Sequence, residues 1–482
     1  LLKPLPGGER DGYADCMAVP RILFVTGKLA EPALRRVLAD LAPRAGFVAE
    51  VAVLPITVAA LAPTPWIARH LERTDGIDRV VLPGLCAGDL GVVAEKVGVP
   101  VERGPADLRD LPEFFRAGSR SRDGYGRYDV EILAEINHAP RLPSDEVLRQ
   151  ARDLAEQGAD VIDLGCDPGS TWAGVGDAVR RLRAEGLRVS VDSFDPAEVE
   201  AALDAGAELV LSVNATNVDR ACSWAGRGDF AVVVLPEPIH DLDSLGPALD
   251  RLTAAGVRYR IDPVLEPIGL GFAASVGRYI ETRRRYPNAE MMMGVGNLTE
   301  LTDVDSAGVN VVLLALCQEL GIRSVLTTQV INWCRSCVRE IALARRLVHY
   351  ACTNRVLPKH VEPDLVVLRD PKLREHGEAA LAELAAGIRD PNFRLFAEGG
   401  VLHAMNGDMH VTAADPFELF DAILARTAVE PTHAFYLGYE LAKAVVARTL
   451  GKNYTQDQAL RWGFLTVEEE SHRDRKQRKA SS

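Results

Sequence analysis

Eight short apolar runs recur through the middle of this chain, with amphipathic stretches between them: Ile132–Ile136, Val161–Leu164, Val189–Val191, Leu209–Val213, Ala231–Leu235, Tyr259–Ile261, Met291–Val295 and Ser324–Thr327. The intervening segments, such as Asp145–Gln157 and Pro196–Ala205, repeat apolar residues at helical spacing. A strand, a helix and a further strand make one unit of parallel sheet, and eight such units in roughly 220 residues approach the size of a closed barrel. The expected fold class is α/β, with a central (β/α)8 TIM barrel over residues 129–352.

The chain has 482 residues, more than one hydrophobic core accommodates. Alternating strand and helix patterns from Arg21 predict a small Rossmann- or flavodoxin-like α/β domain over 18–115. Residues 1–17 read as a leader or upstream extension, with Met17 near the natural start, and 116–128 as a polar, Gly/Ser-rich linker. Thr26-Gly27-Lys28 lacks the rest of a phosphate loop and reads as a plain turn. Beyond the barrel, 353–466 predict an α+β domain. There Val401–Met405 and Asp408–Thr412 flank a two-residue Asn406-Gly407 turn, and a helix over Phe435–Leu450 stops at Gly451. The charge-dense end, 467–482, predicts disorder.

In a barrel of this kind chemistry sits where strands run into their following loops. The strand ends here are polar: Asn137-His138 after the first, Asp163 and Asp167 in and after the second, Asp192-Ser193 after the third, Asn214 after the fourth, Glu237 after the fifth, Asp262 after the sixth, Asn297 after the seventh and Gln329 after the eighth. An unpaired polar group there costs roughly 1–3 kcal/mol to desolvate. Ser144, Ser193 and Asp195 are accounted for as helix caps. Asp192, Asn214 and Asp262, at equivalent places on three strands, point instead to a shared ligand. Carboxylates accept paired N–H groups and Asn both donates and accepts, so the set suits a flat heterocycle with a cyclic guanidine-like edge beside a carbonyl, as in a 2-amino-4-oxopteridine.

Charge narrows the partners. With 55 Lys and Arg against 68 Asp and Glu, the net charge of −13 repels nucleic acid and anionic membranes. No apolar run reaches the ~20 residues of a membrane span and no signal peptide opens the chain. Eight scattered cysteines read as reduced thiols, so the expected compartment is the cytoplasm. Cys334-x-x-Cys337 and His349-x-x-Cys352 have zinc-like spacing, but one continuous helix over Gln329–Tyr350 would hold the pairs roughly 20 Å apart. Cys166 reads as a small buried residue before a reactive thiol. His403 and His410 are expected opposite one another on the exposed face of the Asn406-Gly407 hairpin.

The runs EINHAPRL, GADVIDLGCDPGST, SVDSF, ELVLSVNATN and IDPVLEPIGLGF resemble the pterin-binding barrel shared by dihydropteroate synthases and methyltetrahydrofolate–corrinoid methyltransferases. The resemblance spans about Tyr128–Tyr350. It implies that Asp192, Asn214 and Asp262 hold a reduced pterin; the other polar strand-end residues Asp163, Asp167, Glu237 and Gln329, with Arg141, are further substrate-binding candidates. It also implies that Asn137 stands near a leaving diphosphate and its magnesium, with His138 and Arg141 nearest to that charge. Departures are equally informative. The Lys after strand seven and the Arg-x-His after strand eight of the synthases are replaced by GVGNLTEL and LTTQVIN. Asn297 instead resembles the methyltransferase Asn that bonds the pterin near N5.

The three-part chain looks most like dihydropteroate synthase-like proteins associated with tetrahydromethanopterin in archaea and methylotrophs. The implied function is a transferase that joins or modifies a reduced pterin in one-carbon metabolism. The alternatives are a methyltransferase with a separate corrinoid partner, or a noncatalytic pterin-binding subunit. A homodimer and association with other pathway enzymes both remain open.

Overall fold

A computed structural model describes residues 19–72, 75–105, 108–115, 124–359 and 361–469. The expected leader, residues 116–123 of the expected linker and the tail from 470 onward lie outside the described residues. The described chain falls into two compact units: 19–115 with Leu368–Leu460 and 467–469, and 124–367 with Arg461–Thr466.

In the first unit, strands β1 (Arg21–Gly27), β2 (Val48–Leu54), β3 (Arg79–Leu82) and β4 (Val101–Arg103) form a parallel sheet in the order β2-β1-β3-β4. This is the flavodoxin-like order as far as four strands allow. β1 is buried from Ile22 to Gly27, with alternate residues feeding apolar clusters on the two faces, which is why it reads as an unbroken apolar run.

The second unit is the barrel. Strands β5 (Glu131–Ile136), β6 (Val161–Gly165), β7 (Arg188–Asp192), β8 (Leu209–Val213), β9 (Ala231–Val234), β10 (Arg258–Ile261), β11 (Glu290–Gly294) and β12 (Ser324–Thr327) pair in parallel and close, β12 against β5. The eight predicted runs locate these strands. Period-two alternation sends Leu133, Val161, Leu209, Val233 and Met292 inward, while intervening residues such as Ile132, Ile162 and Val232 pack beneath the helices. At the amino-terminal end the inner residues are charged: Glu131 pairs with Arg188 and Arg260, and Arg260 also reaches Glu290 at 3.3 Å.

The last barrel helix is tied back to the first strand by Arg345, whose side chain is 1% exposed. It donates to Val130 O at 2.8 Å and Gly158 O at 3.2 Å, pairs with Asp160, and lies 3.6 Å over the Tyr128 ring. That helix runs Cys337–Asn354, not from Gln329: a 3₁₀ turn over Asn332–Cys334 precedes it. Cys334 and Cys337 are buried and Cys352 is exposed.

Strands β13 (Arg394–Glu398), β14 (Val401–Met405) and β15 (His410–Ala413) complete the first unit as an antiparallel sheet. The expected two-residue turn is longer. Asn406 Oδ1 accepts from Asp408 N at 2.9 Å and Met409 N at 3.0 Å, so Asn406–Met409 form the loop and His410 pairs with Met405. His403 therefore faces Thr412 and meets His410 only diagonally, Nδ1 to Nε2 3.2 Å, and it is buried rather than exposed. The helix Pro431–Leu450 ends at Gly451 in the left-handed conformation, as its sequence predicts. No helix among the described residues is long and apolar enough to cross a membrane.

Candidate functional site

The inward positions at the carboxyl end of the barrel are acidic. Glu135 on β5 lies in register with Asp163 on β6, and Gly165 pairs with Asp192 on β7. Gly165 is glycine for a local reason: a side chain there would collide with the Glu135 carboxylate. Asp163 is fully buried; one oxygen accepts from Ser190 Oγ at 2.5 Å and the other has no protein partner. Asp192 accepts from Ser212 Oγ at 2.9 Å. Ser212 reaches it because β8 slips register between Val210 and Val213, leaving Ser212 at φ 71°, a bulge that re-aims one side chain.

Burial and mutual repulsion raise these acids. Burial, then Asp192 and Glu300, push Glu135 up to about 7. Burial, then Asp192 and Glu135, hold Asp163 well above the carboxylate range, and burial raises Asp192 against the opposing Ser212 bond. Glu300, after β11, is itself bonded to Thr328, which follows the neighbouring β12. A carboxyl near neutrality can both take and give a proton at physiological pH, which is what general acid–base work requires.

Asp262 follows β10 and is 6% exposed. Its Oδ1 accepts from Tyr279 OH at 2.5 Å and Val264 N at 2.8 Å. Burial still pushes it up to about 6. Val264, a β-branched residue, is held at φ 65°, a conformation costing on the order of 1–3 kcal/mol. Arg278 braces this turn: it donates to Pro263 O at 3.2 Å and Val264 O at 2.9 Å, and pairs with Glu266 at 2.8 Å. Asn297 Nδ2 donates to Leu265 O at 3.0 Å, and a Cβ on Gly294 would stand 3.5 Å from Asn297 Nδ2 and 3.9 Å from Asp262 Oδ2. Asp262 and Asn297 therefore share one side of the mouth.

The other sequence candidates divide. Asn214 Oδ1 is occupied by Thr216 N at 2.9 Å and Thr216 Oγ1 at 2.6 Å, while its Nδ2 points to Glu237 at 3.4 Å. Asp167 is held below its ordinary value by Arg141, 2.8 Å away, and by His138 at 2.5 Å. Gln329 accepts from Val338 N at 3.4 Å, at the start of the last barrel helix. Asn137 Oδ1 is buried without a partner. Burial raises the Cys166 thiol, with Glu198 adding to it, so it is a poor nucleophile. Sequence reasoning missed Glu135, Ser212, Arg278, Tyr279 and Glu300. Glu135 was within reach, since it shares period-two parity with Glu131 and Leu133.

Three family matches fall along the chain: residues 20–106 match a family of unknown function (DUF6513), 138–237 the family described as Pterin binding enzyme, and 388–457 the family described as PterinBD-DUF4346. Part of the barrel, residues 138–237, therefore matches the pterin-binding family. Over most of its length the chain is similar to "Uncharacterized protein MJ0107" of Methanocaldococcus jannaschii, 26% identical across 91% of this chain and 98% of that one. It is 25% identical to the acetyl-CoA decarbonylase/synthase complex subunit gamma of Methanosarcina acetivorans, over 45% of each chain. It is 26% identical to the dihydropteroate synthase type-3 of Escherichia coli, over 22% of this chain and 43% of that one. The chain thus spans less than half the length of these last two relatives. The pterin-binding match covers Asp163, Asp192 and Asn214, whereas Asp262 and Asn297 lie beyond it.

The raised carboxyls of this barrel make stability depend on pH in a defined direction. The unfolded chain releases the Asp262 proton near 3.8, the folded chain near 6. Stability from this group is complete below 3.8 and is lost as pH rises through about 6, on the order of 3 kcal/mol in all. Ligand-free protein should therefore show a pH-dependent melting component between pH 4 and 7 that Asp262→Asn removes. Identical pH profiles for the two proteins would refute the assignment.

Proposed function

We propose that this chain is a transferase acting on a reduced pterin, in the biosynthesis of tetrahydromethanopterin or a related one-carbon carrier. The observation that carries the reading is the set of buried acids at one end of a pterin-binding barrel, above all Asp262. Its Oδ1 is satisfied by Tyr279 and Val264, while Oδ2 lies toward Gly294, whose backbone N–H also favours the anion, and is the oxygen that would take a ligand N–H. A carboxylate oxygen so placed accepts an N–H of the 2-amino-pyrimidinone edge. Asp192 and Asp163 would engage the same face of the ring system, and Glu135 would exchange a proton with it.

The second substrate is constrained by charge. Arg141 is committed to Asp167, and Glu135 and Glu300 stand on the mouth, so a free diphosphate meets little positive charge from these residues. Asn137, whose Oδ1 is buried without a protein partner, would be the residue to hold a magnesium ion, which would supply charge for a leaving diphosphate. Among the described residues no group of three or more His, Cys, Asp or Glu converges on an ion site, so such an ion would arrive on substrate phosphate oxygens. One-carbon transfer is the second reading, favoured by Asn297 beside Asp262. The likeness to a decarbonylase/synthase complex subunit supports a protein partner in that case.

Turnover distinguishes the readings. The protein is incubated with hydroxymethyl-dihydropterin diphosphate and an arylamine, and separately with a methyl-tetrahydropterin and a corrinoid protein. Product from either mixture that Asp192→Ala abolishes supports a transferase. Tight pterin binding without product would make the chain a noncatalytic pterin-binding subunit, and no pterin binding at all would refute every version.

A further inference from the structure

The first unit holds a cavity of its own, unrelated to the barrel. In the order β2-β1-β3-β4 the connections leave β1 toward opposite sides, so a crevice opens between β1 and β3 at their carboxyl ends. That switch point is where ligands of open parallel sheets bind. A cavity of about 160 Å³ lies there, walled by the segments that follow all four strands, from Thr26 and Gly27 through Thr57 and Ala59 to Gly84 and Gly104.

Glycine shapes this rim. A Cβ on Gly84 would stand 2.5 Å from Gly104 O, and one on Gly27 would stand 2.7 Å from Ala59 N. The loops after β3 and β4, and those after β1 and β2, are thereby drawn together in pairs. Main chain forms the edge, while Phe24, Leu34 and Val81 form apolar walls below it. A dry apolar cavity of about 150 Å³ accepts benzene.

Among the described residues the lining contains no charged side chain, so an ionised ligand would find no compensating charge from them on desolvation. Phosphate is disfavoured for the same reason, despite the Gly27-Lys28 turn. Among the described residues the polar lining side chains are Thr26 and Thr57. Thr26 is 4% exposed, and its hydroxyl reaches Gly27 O at 3.4 Å, beyond the usual range of a hydroxyl bond. We propose that this cavity binds a neutral, single-ring aromatic group, with the Thr26 hydroxyl turned toward a substituent on the ring.

Occupancy would be felt outside the sheet. Leu29 lines the cavity and also packs on the end of the helix Glu378–Gly387, where a Cβ on Gly387 would stand 3.1 Å from Leu29 Cδ1. The ring site therefore adjoins the contact between the amino- and carboxyl-terminal parts of this unit.

The test uses the full chain, phenol as the probe and benzoate as a charged control with the same ring, in calorimetric titrations. Phenol should bind saturably to one site, with benzoate weaker by about tenfold or more. Ala59→Leu fills the cavity from its buried wall and Ala30→Phe from its half-exposed edge. Each should weaken phenol by about tenfold or more while the melting transition stays cooperative. If Ala59→Leu fails to fold, Ala30→Phe decides. No saturable phenol binding, equal affinity for benzoate, or undiminished phenol affinity in the folded variants would overturn the proposal.

Discussion

Asp262→Ala should weaken reduced-pterin binding by about 100-fold or more at pH 7.5 while leaving the barrel folded. The substitution removes a carboxylate that accepts charge-assisted bonds in a desolvated site, each worth about 1.5–3 kcal/mol. The same carboxylate predicts the pH profile. Its proton is retained up to about 6, so affinity should fall toward tenfold per pH unit as pH drops below that value. Tyr279→Phe removes a donor that favours the anion and should move the midpoint upward. Titrations of wild type at pH 5 and 7.5 check this directly, and equal affinities at the two values would remove Asp262 from the binding role.

The largest stability effect is expected far from that mouth. Arg345→Met should destabilise the protein by roughly 3 kcal/mol, because it strands the carbonyls of Val130 and Gly158 and leaves Asp160 without its partner. Asp160→Ala should cost less, since Asp160 is 26% exposed and water can replace part of the bond. Equilibrium denaturation measures both. An Arg345→Met protein within about 0.5 kcal/mol of wild type would show that the tie between first strand and last helix is dispensable. Pterin affinity measured below the melting transition should be retained, as Arg345 sits at the opposite end of the strands.

Much of the barrel was legible because its strands are apolar runs of four to six residues separated by helices, and a shift of one or two residues at their ends does not alter the topology. The site was legible where a polar residue ended a run, as with Asp192 and Asp262. It was obscured where polarity lay inside one. Glu135 sits within EILAEI and was passed over as part of a strand, although parity alone turns it inward beside Asp163. Ser212 could not be found from spacing, because its direction depends on a register slip in β8. Tyr279 and Arg278 come from a helix, and only folding brings them under the loop that follows β10. The hairpin shows the opposite failure. Asn406-Gly407 is a strong turn signal, but the Asn406 side chain captures two further backbone donors and lengthens the loop.

The bracing of the loop after β10 bears on how a ligand arrives. Arg278 and Tyr279 fix Pro263, Val264 and Asp262 through bonds made wholly within the protein, and the same bonds hold the strained Val264. Little ordering entropy remains to be lost there on association. Encounter should thus resemble the docking of two rigid bodies, with an association rate governed by diffusion and orientation rather than by loop closure, and differences among related pterins should appear chiefly in how slowly they leave.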